Sequence, residues 1–503
     1  MTHQAKVKDS KGIHASSTRA RQRVGILIFL WVATFWRWSL WTRFPLREDE
    51  ALYGHWAWLI YSGIDPLLRG APVDKPPLFP YLVAHVYTWL TPSPEALRLP
   101  GEVASLLTLP LLYAWLRALF NGRVARAGGF LYGIFPLAVL LAPTGYTDPL
   151  MVGWAVLAGW AASRARRTSL LWGGLSGAAW AAAVATKPMA VLWLPLVWGT
   201  LWARRAPRWA WIAWGLGATG PLLRWWAWEQ AHGPPFTWQL GWLHYGGFHL
   251  LPPSAWLERG AKWLRVWWDT WGGVGGVLVL GLAGLGGWLG CARRHRGACL
   301  LAGWLGGVLL LYGTTSLAPW DRYLLLLAPA TVGLAAYGWD EGWSRRGRIP
   351  TLLLILLLGW GLWVGCRAGR GQYPVGGDHG AYEGIDAVAS YIMADLPRGG
   401  IVYHHWLGWH YGFYLFAAPY DFRWWPDVQW LVRDVERGPR VPRVLVFPAW
   451  HERERLAVVN ALRGRGIVPT RVRRVYTHDG HLRFWVYLLP WDARSRRTPP
   501  QLP

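Results

Sequence analysis

Acidic and basic side chains are concentrated in one stretch of an otherwise apolar chain. Glu48, Asp49 and Glu50 follow directly after an apolar run. Asp74 and Lys75 lie at the far end of the same stretch. Adjacent carboxylates at the end of an apolar segment are costly unless they are solvated, paired or bound to a metal. They indicate either a solvated helix N-terminus, a position that suits acids, or a site that performs chemistry.

Charged residues elsewhere in the chain favour the second interpretation. Asp148, Lys187 and Arg322 each lie at the edge of an apolar run. Fixed cations bind phosphate, whereas a carboxylate can take a proton from an acceptor hydroxyl. Together these residues predict a site for a lipid-linked phosphate donor at one face of a membrane.

The composition is that of a polytopic membrane protein. The 503 residues are 53% hydrophobic and only 16% charged. Apolar runs between residues 24 and 365 are each about a bilayer long or slightly shorter, and they predict about eleven transmembrane helices. A helix is expected at 49–61. The apolar run 78–90 is too short to cross, so we expect a helix lying at the outer interface.

The net charge of +25 is arranged in clusters rather than as one surface. Basic clusters recur on every second connection between apolar runs, as the positive-inside rule requires of cytoplasmic loops. We therefore expect a multi-pass plasma (inner) membrane protein with a cytoplasmic N-terminus and no nucleic-acid partner. The 43 Trp fit interfacial belts better than sugar-stacking platforms. The stretch 42–98 and the connections at 229–265 and 319–323 are expected outside.

The composition changes from about Cys366. Strand patterns alternate with helical patterns at 381–396 and 452–463, and the strands are expected at 401–405, 444–448, 471–476 and 484–489. We predict a basic cytoplasmic tail, a transmembrane domain, a small extracytoplasmic α/β domain and a disordered tail, at 1–23, 24–366, 367–491 and 492–503. His404, His405 and His410 could bind zinc, but no neighbouring Cys or carboxylate in the sequence completes a site, so packing is favoured.

Five short motifs follow one another in the first half of the chain. They are an Asp-Glu pair with Tyr three positions on, acid-Lys-Pro-Pro-Leu, Arg-Leu-Pro, Thr-Asp-Pro and Thr-Lys, at Asp49 to Tyr53, Asp74 to Leu78, Arg98 to Pro100, Thr147 to Pro149, and Thr186 with Lys187. None is specific alone, but their order and spacing together are. The region 24–337 thereby resembles the polyprenyl-phosphate-dependent glycosyltransferases of the GT-C fold, in particular the ArnT-like and protein-O-mannosyltransferase-like group.

The resemblance implies a fold, an activity and roles for residues. The fold is an all-α polytopic membrane bundle of the GT-C type, followed here by the small α/β domain. The activity is inverting transfer of a hexose or pentose from a polyprenyl-phosphate donor to a hydroxyl of a lipid, glycan or protein outside the membrane. Asp49 would be the base, with Glu50 and Asp148 as further catalytic residues. The donor phosphate would be bound by Lys75, Arg322, Lys187, Tyr53 and Arg98.

The resemblance also implies a metal pair. ArnT-like proteins have an acid and a histidine as ligands, which by position would be Asp74 and His244 for Zn²⁺, Mg²⁺ or Mn²⁺. The sequence departs from that pattern, because Asp74 stands where Glu is usual and Gly247 where an Arg commonly follows the histidine. Judged by residue type alone, His244 is an interfacial hydrogen-bonding residue.

Two other classes of protein compete with the transferase. A transporter or flippase of lipid-linked sugars would have internal repeats and charges at the bilayer midplane. The chain has neither pattern, because its charges are expected at one face. A noncatalytic envelope protein would place the function in the outer domain and leave the carboxylate stretch replaceable.

Overall fold

The computed structural model describes residues 45–166, 168–342, 349–369, 380–477 and 480–490. The predicted first transmembrane helix, the basic tail and the predicted disordered tail lie outside these described residues.

Helices account for most of the chain before residue 370. They are α1 (Glu48–Tyr61), α2 (Leu78–Tyr87), α3 (Pro94–Leu119), α4 (Gly122–Ile134), α5 (Pro136–Leu141), α6 (Thr147–Arg164), α7 (Ser169–Thr186), α8 (Leu194–Ala203), α9 (Arg208–His232), α10 (Thr237–Tyr245), α11 (Pro253–Thr270), α12 (Val274–Ala292), α13 (Arg296–Thr314), α14 (Ala328–Gly342) and α15 (Ile349–Gly369). Two 3-10 helices, Pro188–Trp193 and Asp321–Leu327, lead into α8 and α14.

Helices and strands alternate in the C-terminal part. In chain order they are α16 (Ile385–Asp395), β1 (Ile401–His404), α17 (Gly408–Tyr414), β2 (Asp421–Trp424), α18 (Val428–Arg437), β3 (Arg443–Pro448), a 3-10 turn (Ala449–His451), α19 (Glu452–Gly464), β4 (Thr470–Tyr476) and β5 (Leu482–Leu489). The four predicted strands are present, whereas β2, α17 and α18 were not predicted. β2 was missed because it is a short edge strand with exposed residues at both ends, and α17 because it is rich in aromatic residues.

The chain divides into two compact units. Of the described residues, the helical unit contains 72–78 and 98–369, and the mixed unit contains 45–71, 79–97 and 380–490. The mixed unit thus joins α1, from the first acidic stretch, to the C-terminal α/β segment. The predicted boundary between domains at residue 366 remains a prediction.

Three described helices are long and apolar enough to cross a membrane, namely α3, α12 and α13. The count of eleven transmembrane helices therefore remains a prediction. The eleven predicted helices include one for the apolar run at 267–289, and that prediction is wrong for a single helix, because the run spans the end of α11 and most of α12. Gly272 and Gly273 lie between them with φ of 78° and 58°, a backbone conformation that interrupts a right-handed helix.

In the helical unit, α6 and α7 form a pair connected by four residues, so the start of α6 lies beside the end of α7. The Ser176 hydroxyl of α7 donates a hydrogen bond of 2.8 Å to the Ala158 carbonyl of α6. On its other side α7 packs against α9, where Cβ atoms at Gly173 or Gly177 would overlap the α9 backbone. Small residues four apart permit such close helix packing. This packing fixes the position of α7 between α6 and α9.

The mixed unit contains a sheet with the strand order β2-β1-β3-β5-β4. β1 pairs in parallel with β2 and with β3, whereas β5 pairs antiparallel with β3 and β4. Alternate residues face opposite sides, as expected of strands. Val402 and Val444 join one core with α16 and α17, and Tyr403 joins the other with α18 and α19. The sheet is covered by helices on both faces.

Candidate active site

Asp148 and Lys187 form a buried ion pair in the helical unit. The Lys187 ammonium lies 2.7 and 2.8 Å from the two carboxylate oxygens of Asp148, whose side chain is fully buried. Asp148 is in the first turn of α6, where the helix dipole favours an acid. Lys187 precedes Pro188, which forces an extended backbone and ends α7 there (φ −156°, ψ 126°). Local sequence therefore positions both partners.

Arg322 is connected to this pair by two tyrosine rings that contact the cations. Its guanidinium is 4.5 Å from the ring centroid of Tyr146, the residue that precedes α6. The Lys187 ammonium is 4.8 Å from the ring of Tyr323, which is adjacent to Arg322 in the chain. Three separated segments thus bring two cations and one carboxylate together, beside two tyrosine rings that can make cation–π contacts. The sequence predicted only that these residues lie at the same face of the membrane, not which of them are in contact.

Asp74 connects Lys75 and His244 in the same unit. One carboxylate oxygen lies 3.0 Å from the Lys75 ammonium, and the other lies 3.2 Å from Nδ1 of His244. His244 is on α10, where a Cβ at Gly241 would lie 3.2 Å from the Asp74 carbonyl oxygen. A glycine therefore lets α10 approach the backbone at Asp74. Asp74 is 8% exposed and His244 is 45% exposed, so the cluster is open on the histidine side.

Asp74 and His244 have the chemistry and separation of two metal ligands. Ligand atoms about 2.1 Å from a tetrahedral zinc ion lie roughly 3.4 Å apart, close to the 3.2 Å between Asp74 Oδ2 and His244 Nδ1. The exposed side of His244 would leave further coordination positions for water or substrate. Lys75 occupies the other oxygen of Asp74, so a metal here would have two protein ligands and a cation as neighbour.

The acidic residues at the start of α1 belong to the mixed unit. The Glu50 carboxylate accepts a hydrogen bond of 2.9 Å from the Arg47 backbone N–H, so it closes the first turn of α1. Glu50 is fully buried, whereas Asp49 is half-buried. Of the two acids, Asp49 is the one that is partly exposed to solvent.

The C-terminal segment holds the residues that precede Asp49. The Leu46 N–H donates to the Tyr414 hydroxyl at 2.9 Å, and the Leu46 carbonyl accepts from Nε2 of His410 at 3.1 Å. The Tyr382 hydroxyl donates to the Glu48 carboxylate at 3.2 Å. Burial lowers the pKa of His410 to about 4, so His410 is neutral at pH 7. We call these contacts to Leu46 and Glu48 the α1 clamp.

A reciprocal glycine contact fixes α1 against α17. The Phe413 ring lies 2.5 Å from where a Cβ at Gly54 would be, and the His55 ring lies 2.7 Å from where a Cβ at Gly412 would be. His55 Nδ1 also donates to the Gly412 carbonyl at 2.9 Å. A glycine in each helix therefore makes room for a ring of the other helix, and the position of α1 depends on both glycines.

Two other predicted donor-binding residues are buried. The Tyr53 ring packs edge-on against Trp56 and Phe79 in the mixed unit, with centroids 5.7 and 5.6 Å away. Arg98, in α3, is 3% exposed. Their predicted role in binding the donor phosphate remains a prediction.

The three histidines considered together in the sequence, His404, His405 and His410, do not form one cluster. His404 contacts Tyr411, in the core on one face of the sheet, whereas His405 contacts Trp425, in the core on the other face. His410 belongs to the α1 clamp. The expectation that no carboxylate accompanies these histidines is wrong for His405, because Glu454 lies beside it. Glu454 is 49 residues away from His405 in the sequence and follows a different strand, so the sequence gives no sign that the two are neighbours.

Comparison with known proteins gives the fold a name. A family model described as dolichyl-phosphate-mannose-protein mannosyltransferase matches residues 74–228, which include Asp74, Lys75, Arg98, Asp148 and Lys187. No curated protein matches the sequence.

Solved structures match almost the whole chain. ArnT from Cupriavidus metallidurans bound to undecaprenyl phosphate is 17% identical, with a TM-score of 0.66 over 95% of this chain and 99% of that one. The apo form of the same enzyme is 16% identical, with a TM-score of 0.63 over 96% and 100%. An Archaeoglobus fulgidus oligosaccharyltransferase in complex with Zn and sulfate is 12% identical, with a TM-score of 0.51 over 90% and 72%. The chain has the ArnT-like GT-C fold.

Proposed function

We propose that this protein, with its ArnT-like GT-C fold, is an integral-membrane glycosyltransferase that uses a polyprenyl-phosphate-linked sugar. The observation that carries the proposal is the convergence of Asp148, Lys187 and Arg322 within that fold. A lipid phosphate is the kind of ligand that two fixed cations bind. The similar ArnT structure holds undecaprenyl phosphate, which supports the same donor class here.

The proposed reaction is a single inverting displacement. The acceptor hydroxyl gives its proton to Asp49 as its oxygen forms a bond to the anomeric carbon of the sugar. The bond from that carbon to the phosphate oxygen breaks, and its electron pair leaves with the polyprenyl phosphate. Lys187, Arg322 and Lys75 stabilise the charge that develops on the phosphate. The products are the new glycoside and the free polyprenyl phosphate.

The remaining acids have positioning roles in this proposal. Asp148 fixes the position of the Lys187 ammonium, because both of its carboxylate oxygens contact that group. Glu50 closes the turn that carries Asp49. Asp74 and His244 would hold a divalent cation, which would supply further positive charge near the phosphate.

The decisive variant is Asp49→Asn. It removes the proposed base but keeps the size and hydrogen-bonding capacity of the side chain. We expect a loss of transfer of at least 100-fold, the scale of general base catalysis, at unchanged expression. The measurement is mass spectrometry of polyprenyl-phosphate sugars and of glycosylated lipids, glycans and proteins from cells with and without the protein.

Asp386→Asn is the matched control, because Asp386 is an exposed acid in the first turn of α16 in the same unit. It should leave transfer unchanged. If Asp49→Asn retains transfer, Asp49 is not the base. If the wild-type protein changes no glycosylated product but redistributes lipid-linked sugars across the membrane, the protein is a flippase rather than a transferase.

A further inference from the structure

We propose that His405, His451 and Glu454 form a second, independent metal site in the mixed unit, one that binds Zn²⁺. The three ligand atoms lie within 4.8 Å of one another. None of these residues belongs to the proposed transferase machinery, so the inference does not depend on that function.

The site lies at a particular point of the sheet topology. β1 has β2 on one side and β3 on the other, and all three run parallel. The helix that follows β1, α17, packs on one face, and the helix that follows β3, α19, packs on the other. Connections that leave neighbouring parallel strands toward opposite faces open a crevice at their carboxyl ends, where α/β proteins bind ligands.

The three residues come from the two sides of this crevice. His405 directly follows the last residue of β1, and His451 ends the 3-10 turn after β3. Glu454 is in the first turn of α19. The ligands are thus supplied by both connections, as a site between them requires.

The geometry fits one ion. Nδ1 of His451 and Nδ1 of His405 lie 2.6 and 3.3 Å from the same Glu454 oxygen. The imidazole centroids are 5.6 Å apart. Ligand atoms of a tetrahedral zinc site lie roughly 3.4 Å apart. The separations here, 2.6 and 3.3 Å to Glu454 and no more than 4.8 Å for any pair, are close enough for side-chain rotation to bring the three atoms around one ion. Two imidazoles and one carboxylate are a zinc ligand set that leaves the fourth position open.

The surroundings orient His405 rather than merely bury it. Its ring stacks on Trp406, with centroids 5.0 Å apart and planes 12° apart, and meets Trp425 edge-on at 4.6 Å. Trp406 has φ of +65°, a backbone conformation that bulky residues rarely adopt and that clusters at functional sites. The His405 ring is thus packed between two tryptophans at an unusual turn, with the His451 ring 5.6 Å away.

The ligands are reachable from solvent. The side chains of His405 and His451 are 12% and 15% exposed, and that of Glu454 is 41% exposed. Bound Zn²⁺ would tie the turn after β1 to the start of α19. The same turn leads into α17, which carries His410 of the α1 clamp, so the metal would stabilise the part of the unit that holds α1.

The test uses the full-length protein in detergent, stripped of metal with a chelator and then titrated with Zn²⁺. Bound zinc is measured by elemental mass spectrometry after gel filtration, and stability by the thermal unfolding midpoint. We expect His451→Ala and Glu454→Gln each to bind one zinc fewer than wild type, or to bind it at least tenfold more weakly. Both should lose the rise in unfolding midpoint that Zn²⁺ gives the wild-type protein.

Two controls separate this site from others. Glu452→Gln alters an acid in the same first turn of α19 that pairs with Arg455 instead, and it should bind zinc as wild type does. His244→Ala removes a ligand of the Asp74 pair and should leave this site intact. If His451→Ala does not fold, Glu454→Gln decides, because its side chain is largely exposed. Undiminished zinc binding and an unchanged midpoint response in Glu454→Gln would overturn the proposal.

Discussion

The acidic residues Asp148 and Asp49 are positioned by different kinds of contact. Asp148 of the helical unit is paired with Lys187, only 39 residues further along the chain. The start of α1 in the mixed unit is held by Tyr414 and His410, which contact Leu46 across 368 and 364 residues. Asp148 is fully buried and its charge is neutralised, whereas Asp49 is half-buried at the end of a helix that distant chain must fix.

The difference separates two tasks that a charged site has to perform. A buried pair such as Asp148 with Lys187 keeps a cation at a fixed place, and its desolvation cost is offset only while both partners remain. A proton acceptor, the role proposed for Asp49, needs access to its substrate, so the contacts that place its helix have to leave the carboxylate accessible. Removing part of each arrangement should therefore have different consequences.

The largest expected effect comes from Lys187→Met. The substitution leaves the Asp148 charge buried without its partner, and breaking a buried pair in this way costs about 3–5 kcal/mol. We expect a large fall in the thermal unfolding midpoint in detergent. The double variant Lys187→Met with Asp148→Leu should recover most of that loss, because it removes both charges together.

Lys262→Met is the matched control for that experiment. Lys262 pairs with Glu258 one helical turn away in α11, but both side chains are more than half exposed. Exposed pairs contribute about 1 kcal/mol or less, so this variant should unfold close to wild type. If Lys187→Met is no more destabilising than Lys262→Met, the pair is not a buried constraint.

The contrast between local and long-range contacts also explains which features could be predicted from the sequence. Asp148 and Lys187 were predicted to lie at one membrane face, from the edges of the apolar runs and from the motifs around them. Their ion pair was not predicted, although each residue has a local signal for its position, a helix N-terminus and a residue before proline. The helix at α1 and four of the five strands were also predicted, since their patterns are local. The α1 clamp was not predicted, because no local pattern shows that Leu46 contacts Tyr414.

The metal ligands show the same limit on a smaller scale. His405 was recognised as a candidate ligand, but it was grouped with its neighbours in sequence, His404 and His410. Adjacent strand residues face opposite sides of a sheet, so His404 cannot share its ligands. His451 and Glu454, three apart at a helix start, were a usable signal. Their proximity to His405 depends on the parallel pairing of β1 with β3, which the sequence does not specify.

A smaller effect is expected at the contact between α1 and α17. Gly54→Ala places a Cβ 2.5 Å from the Phe413 ring, and overpacking of this kind costs about 1–3 kcal/mol. Because α1 carries Asp49, transfer should fall together with stability. Sugar transfer in membranes and the thermal midpoint would both be measured.

Gly464→Ala is the control for this glycine. It lies at the end of α19 in the same unit, and nothing lies within 4 Å of the added Cβ. Its stability should be equal to or slightly above that of wild type, because alanine favours a helix. Gly54→Ala that behaves like Gly464→Ala would show that α1 does not depend on close packing against α17.

The last expected effect is a pH dependence of the mixed unit. Burial lowers the pKa of His404 and of His410 to about 4, below the ordinary value of 6.5. The unfolded chain therefore binds protons between pH 6.5 and 4 that the folded chain does not. Stability from these histidines is complete above pH 6.5 and is lost as the pH falls toward 4. Each should contribute a loss on the order of 2 kcal/mol between pH 7 and 5.

His410→Gln should remove about half of this dependence and leave the part due to His404, since glutamine can still donate to the Leu46 carbonyl but does not titrate. His249→Gln, on an exposed connection of the helical unit, should leave the wild-type slope unchanged. Hydrogen exchange corrected for its intrinsic pH dependence would locate the effect. Protection should fall with pH in 46–61 before it falls in 147–164, because α1 is held by a titrating neighbour and α6 by a local ion pair. Equal loss in both segments would mean that Asp148 and Asp49 are not held independently.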